Sequence, residues 1–333
     1  KFNFFNFMKF IVTGGAGFIG SHLTEKLVNN NHDVTVIDNF SIGKKKNLKN
    51  IIKKIKLVKA DIRNFKQIEK LFRNVDCVFH LAALADIVPS IDNPDAYYST
   101  NVNGTYNVIK LSVLNKVKRF IYAASSSCYG IPEKYPTPEN SEILPQYPYA
   151  LTKRLGEELI LHFGKIYKIN TTSLRLFNVY GTRARTSGTY GAVFGVFLAQ
   201  KLSGRPFTLV GDGEQTRDFT YVSDIVNAMI IVSKLKSLNN QILNVGSGKT
   251  TSVNRIIELL GGDVIKIPKR PGEPDITFAD ISRIKKKTNW RPKVDIKTGV
   301  SIMLKNISDW KDAPVWTPKK IEKATKNWFK YLK

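Results

Sequence analysis

Short apolar runs alternate with longer stretches of helical period through the first half of the chain. Runs at 9–13, 34–38, 56–60, 77–81, 120–124 and 172–177 predict strands, and stretches at 65–72, 98–114 and 149–167 predict helices. The strands are rich in β-branched residues with little alternation, as strands covered on both faces are. Strand and helix in turn imply right-handed crossovers and a parallel, doubly wound α/β sheet. Past about residue 179 the rhythm breaks: 181–191 is polar and glycine-rich, and Pro206, Pro268, Pro271 and Pro274 punctuate long loops. Runs at 207–210 and 242–245 still read as strands, and 253–260 as a helix. The expected organisation is a first domain over 8–178, to which the chain returns near 218–246, and a smaller interleaved α+β domain mainly over 179–333.

The stretch MKFIVTGGAGFIGS (8–21) changes this from an architecture to a site. Gly14, Gly17 and Gly20 follow the first strand at three-residue intervals and lead into a helical pattern at Ile19, Leu23 and Leu27. The first glycines let the backbone turn and approach a pyrophosphate, Gly20 lets helix lie close on strand, and the helix N-terminus faces the phosphates. Asp38 ends the next strand, where a carboxylate accepts from a ribose 2′-hydroxyl and repels a 2′-phosphate. Together these features predict a dinucleotide site that takes NAD rather than NADP, with Phe18, Ile19 and the neutral Asn39 beside it. Strands of an open α/β sheet present their carboxyl ends to the ligand. Asp61 and Ile62 are therefore expected over the adenine, and Leu81, Ala82 and Ala83 along the dinucleotide.

Composition narrows the class. The 333 residues are 42% hydrophobic, and no apolar run approaches the ~18 residues of a membrane span. The leader KFNFFNF has no signal-peptide pattern, and Met8 reads as a start with residues 1–7 as an upstream appendage. Two cysteines, Cys77 and Cys128, show no metal spacing and fit a reduced cytoplasm. The net charge of +25 raises the question of an anionic partner. The lysines are scattered, however, and no aromatic–basic stripe or nucleic-acid motif accompanies them. Neither nucleic acid nor membrane is expected as a partner, and no metal is.

The chemistry sits in two places. Tyr149 and Lys153 form a Tyr-x-x-x-Lys pair at i, i+4, with Pro148 as a helix-start signal. A nearby ammonium lowers a phenol pKa from about 10 toward the working pH, giving a base for a substrate hydroxyl. Upstream, the 120–124 strand runs into Ser125, Ser126 and Ser127, whose hydroxyls at a strand's carboxyl end suit a reacting oxygen.

In this order the motifs resemble the extended short-chain dehydrogenase/reductase family with its Rossmann domain, and within it the nucleotide-sugar 4-epimerases. The residues that carry the resemblance are TGGAGFIGSHL (13–23), HLAA (80–83), SSSCYG (125–130), YALTK (149–153), RLFNVYG (175–181), RDFTYVSD (217–224) and NVGSG (244–248). It implies Tyr149 as base with Lys153, Ser125 holding the reacting oxygen with Ser126 assisting, and Asn178, Arg217 and Arg270 on the substrate diphosphate. It further implies a nucleotide-sugar substrate, NAD as cofactor, and a homodimer formed through 98–114 and 149–167. The family's dehydratases carry an Asp-Glu pair, and its decarboxylases a Glu, beside the catalytic hydroxyl. Here Ser126 and Ser127 stand there, which favours oxidation and re-reduction at C4. In similar epimerases a residue after the 270–275 loop gates the space beside C2. Thr277 in that place leaves room for an N-acetyl group, and a register slipped by one puts Phe278 there instead. Arg183 and Arg185 keep a uronate 4-epimerase open as the alternative, alongside a 4,6-dehydratase or decarboxylase.

Overall fold

The computed structural model describes residues 7–184 and 193–332, so Arg185 lies outside the described residues. Seven strands form one parallel sheet: β1 (Lys9–Thr13), β2 (Asp33–Asp38), β3 (Lys56–Lys59), β4 (Cys77–His80), β5 (Arg119–Ser125), β6 (Asn170–Leu176) and β7 (Gln241–Val245). They lie in the order β7-β6-β5-β4-β1-β2-β3, so the winding direction reverses between β1 and β4. That reversal is where an open α/β sheet opens a crevice for ligand. The run at 242–245 does reach this sheet, pairing in parallel with β6 from Gln241↔Thr172 to Val245↔Leu176.

Helices cover both faces. On one side, α1 (Phe18–Asn29) and α4 (Val222–Lys234) meet a core that includes Val12, Leu23, Phe79, Ile121, Leu174 and Met229. On the other, α2 (Thr105–Leu114) and α3 (Pro148–Tyr167) close over Ile11, Val78, Phe120, Tyr122 and Ile160. Burial on both faces is why β4 and most of β5 read as unbroken apolar runs.

The helix expected over 98–114 is interrupted. A helix at Pro94–Tyr98 passes through a wide π turn at Ser99–Gly104 before α2 begins. The Asn101 amide is drawn out of the helix pattern: its Oδ1 accepts from Leu84 N at 2.8 Å, and its Nδ2 donates to Leu84 O at 2.9 Å. A third bond, from Nδ2 to Thr152 Oγ1 on α3, is 3.1 Å long. The π turn thus ties the loop after β4 to the helix that carries Tyr149. Similarly, 65–72 is α-helical only over Phe65–Ile68 and tightens to a 3₁₀ turn over Glu69–Phe72.

The second region centres on a parallel pair of strands, Phe207–Val210 and Val264–Ile267. The second of these was not predicted; its VIKI sequence is mostly exposed and carries no buried-strand signature. A separate core of Phe197, Phe207, Leu209, Trp310 and Trp328 joins this pair to the terminal helix α5 (Pro318–Tyr331). Among the described residues, no helix is long and apolar enough to cross a membrane. Nor is there a cluster of three or more His, Cys, Asp or Glu able to hold a metal ion.

Candidate active site

The glycine turn forms because alternatives collide. Gly14 has φ +69°, and a Cβ there would lie 2.8 Å from Ala82 N. A Cβ on Gly20 would lie 2.1 Å from Gly14 O, so helix and turn can approach only without one. The start of α1 at Gly17 has no side-chain cap and no acidic residue in its first turn. Its first amides, including those of Phe18 and Ile19, are therefore available to an anion. Leu81, Ala82 and Ala83 run opposite the turn, and the amides of Leu81 and Ala82 each donate to Thr13 Oγ1 at 3.2 Å.

Asp38 is buried, and its carboxylate accepts from Ala16 N at 2.9 Å and Phe40 N at 2.8 Å. Burial raises its pKa and the two amides oppose the rise. Each oxygen keeps a lone pair for a ribose hydroxyl. Asn39 is half-buried, and its amide donates to Asp61 Oδ2 at 3.0 Å. Asp61 also receives Arg63 at 2.7 and 3.0 Å, which holds its carboxyl well below the ordinary range. The Ile62 side chain is buried, and its carbonyl accepts from Asn107 Nδ2 at 3.0 Å. These glycines, the uncapped helix start and Asp38 suit a dinucleotide.

Proton-transfer groups gather at the carboxyl end of β5. Ser125 ends the strand, and its Oγ is 2.5 Å from Ser127 Oγ. Of the three serine hydroxyls, those of Ser125 and Ser127 act on the Tyr149 phenol and favour its ionised form. Ser125 caps the 3₁₀ turn at Ser126–Tyr129, its Oγ accepting from Ser127 N at 3.2 Å, and this cap brings the two hydroxyls together. Lys153 lies on the same face of α3, one turn on, but its ammonium sits 4.2 Å from the centre of the Tyr122 ring. Burial pushes this lysine down to about 7, with Glu157 opposing. The Tyr149 phenol is shifted up by burial, and the two serines, not Lys153, pull it back. The expected lowering by the lysine is therefore replaced here by hydroxyl donors.

Behind this cluster lies an ion pair with no signal in the sequence beyond its spacing. Arg175 and Glu157 meet at 2.7 Å with side chains 2% and 1% exposed. Ser173 donates to the same carboxylate at 2.6 Å, and Arg175 donates to Tyr129 Oη at 2.8 Å. Tyr129 in turn donates to Asn244 Oδ1 at 2.7 Å, linking the serine turn to β7.

Substrate candidates converge at the other end of the crevice. Thr277 Oγ1 donates to Asn178 Oδ1 at 2.7 Å, which leaves the Asn178 NH₂ to face a ligand. Thr277, and not Phe278, is the residue beside Asn178; the Phe278 carbonyl is taken by Thr137 N. The buried carboxylate of Asp218 fixes this loop by accepting from Ser247, Gly248 and Ala279 amides at 2.6, 3.1 and 3.1 Å. Arg217 and Arg270 both engage Glu273, at 3.1 and 2.8 Å, a residue the sequence did not single out. Here the crevice narrows to a cavity of about 20 Å³ lined by Val210, Gln215, Arg217 and Glu273, among others. Arg183 is paired with Glu25 of α1 at 2.5 Å.

The sequence profile of the NAD dependent epimerase/dehydratase family matches residues 10–246. This chain belongs to that family. A putative UDP-glucose 4-epimerase of Methanocaldococcus jannaschii is 37% identical over 308 residues, covering 90% of this chain and 97% of the relative. The UDP-N-acetylglucosamine 4-epimerase of Methanobrevibacter ruminantium, solved with UDP-N-acetylmuramic acid, superposes with a TM-score of 0.85 at 33% identity; it covers 91% of this chain and 100% of that one. The UDP-glucuronic acid 4-epimerase of Bacillus cereus, solved with UDP-glucuronic acid and NAD, gives 0.84 at 31% identity, covering 90% and 99%. The chain is an NAD-dependent enzyme of this epimerase family.

Proposed function

We propose that the protein inverts C4 of a UDP-hexose or UDP-N-acetylhexosamine through a 4-keto sugar. The observation that carries this is the proton-transfer cluster. Among the described residues, Tyr149 is contacted by serine hydroxyls and aromatic rings, and Ser126 and Ser127 stand where an eliminating enzyme needs carboxylates. Removing a C5 proton requires such a base, so dehydration is disfavoured.

Tyr149 as phenolate takes the proton of the 4-hydroxyl, and Ser125 holds that oxygen. Bound NAD supplies the hydride acceptor, and later the donor, at C4. Glycines 14, 17 and 20 with Phe18 and Ile19 would hold its pyrophosphate, Asp38 one ribose, and Lys153 the other. Asn178, Arg217 and Arg270 retain the diphosphate, whose oxygens replace the Glu273 carboxylate at the two guanidinium groups. The keto sugar turns about that anchor and presents its other face, and Tyr149 returns the proton. Thr277, smaller than tyrosine, supports an N-acetyl group beside C2. Engagement of Arg183 by Glu25 supports a neutral sugar over a uronate.

A homodimer fits the exposed apolar residues Tyr106 and Leu114 of α2 and Leu151, Ile166 and Tyr167 of α3. Two free, buried thiols suit a cytoplasmic setting. Replacing Tyr149 with Phe is expected to leave NAD bound and abolish turnover. Near-full activity in that variant removes Tyr149 from its role.

A further inference from the structure

Tyr147, two residues before the reactive tyrosine, is joined to it in a way the mechanism above does not use. Its ring is parallel to that of Tyr149, with centroids 6.4 Å apart and 6° between planes. Ser127 acts on both phenols, and its Oγ meets Ser125 Oγ at 2.5 Å. From the far side the Trp328 ring supports Tyr147 at 6.2 Å. Trp328 is itself fixed: its Nε1 donates to Pro271 O at 2.7 Å, and the Arg270 guanidinium lies 5.3 Å from its ring centre. The terminal helix α5 thus seats Tyr147 and the diphosphate loop with one side chain.

A serine hydroxyl has one proton and two lone pairs. At Ser127 three hydroxyls compete for them: Ser125, Tyr147 and Tyr149. We propose that Tyr147 is a positioning residue of the proton-transfer site, donating to Ser127 so that the Ser127 proton is directed to the Tyr149 phenolate. Burial raises the Tyr147 phenol, so it stays protonated and remains a donor throughout the working range. A donor that itself accepts a hydrogen bond is polarised and donates more strongly. The other groups facing the pair do not supply this proton. Tyr97 meets Tyr149 edge-on at 6.5 Å and 75°, and the Lys153 ammonium is over Tyr122. Burial pushes the Cys128 thiol up to about 12, and Glu273 and Arg217 act on Tyr147 from the diphosphate side.

This inference rests on Tyr149 being the base, and its primary test needs no substrate. Ultraviolet titration of the NAD-loaded enzyme, minus that of Y149F, gives the ionisation midpoint of Tyr149. Y147F keeps the ring and removes the donor. Its midpoint is expected to rise by about 0.4 to 1 pH unit, the size of one neutral hydrogen bond. S127A is expected to shift it at least as far, and Y147F added to S127A to shift it no further. In turnover of UDP-N-acetylglucosamine or UDP-glucose, the acidic limb of kcat should move up by the same amount, with KM changed less than about twofold. A Y147F midpoint equal to the parent's, or shifts that add with S127A, overturns the proposal and reduces Tyr147 to a packing ring. Absence of turnover on either sugar, with the midpoint shifts intact, fails the substrate reading and leaves this one standing.

Discussion

Glu157→Gln isolates the buried ion pair on which the serine turn rests. The change keeps volume and one oxygen but removes the carboxylate paired with Arg175, whose side chain is 2% exposed. Arg175 cannot deprotonate, and its remaining bonds go to neutral acceptors, Tyr129 Oη and Glu139 O. An uncompensated buried charge costs about 3–5 kcal/mol, which for a chain of this size is a fall in Tm of roughly 4–7 °C. The same substitution strips Lys153 of the charge that opposes its burial, so the lysine drops further below about 7. Differential scanning of the NAD-loaded protein reads the first effect, and the basic limb of kcat the second. The double variant E157Q/R175M, which removes both charges, should recover part of the lost stability. A fall in Tm of less than about 1 °C in E157Q, under about 1 kcal/mol, refutes the claim that Arg175 depends on this carboxylate. Acid should act on the same pair. Hydrogen bonding and charge from Arg175 hold Glu157 below its unfolded value of 4.5 despite burial. Its contribution is present above that pH and is lost as pH falls through the folded value.

Gly20→Ala puts a methyl group 2.1 Å from Gly14 O, backbone that cannot yield cheaply. Overpacking of about 1–3 kcal/mol should appear as at least a fivefold loss of NAD affinity by calorimetry. Thr277→Tyr fills the space beside Asn178; turnover of UDP-N-acetylglucosamine should collapse while that of UDP-glucose persists, read by product analysis. Cys77 and Cys128 are buried with raised pKa values, so a thiol reagent should modify neither in the native protein and both after denaturation.

Much of the frame was legible because its signals are local. Glycine spacing, β-branched runs and a terminal Asp38 need only neighbours in sequence to be read, and the six sheet strands predicted before residue 180 differ from those found by a residue or two at their ends. The misses have a different origin. The π turn at Ser99–Gly104 exists because Asn101 bonds Leu84 and Thr152, 17 residues before it and 51 after it. Choosing Ser127 over Ser126 requires knowing that the chain tightens to a 3₁₀ turn. Glu273 and Trp328 are 56 residues past Arg217 and 57 past Pro271, respectively, and no local pattern marks either as part of a site.

The most direct test is to incubate the purified protein with UDP-N-acetylglucosamine, and separately with UDP-glucose, and to follow the products by proton NMR. Appearance of the galacto epimer at unchanged mass is the predicted result. A 4-keto-6-deoxy product, or conversion of UDP-glucuronate alone, would contradict it.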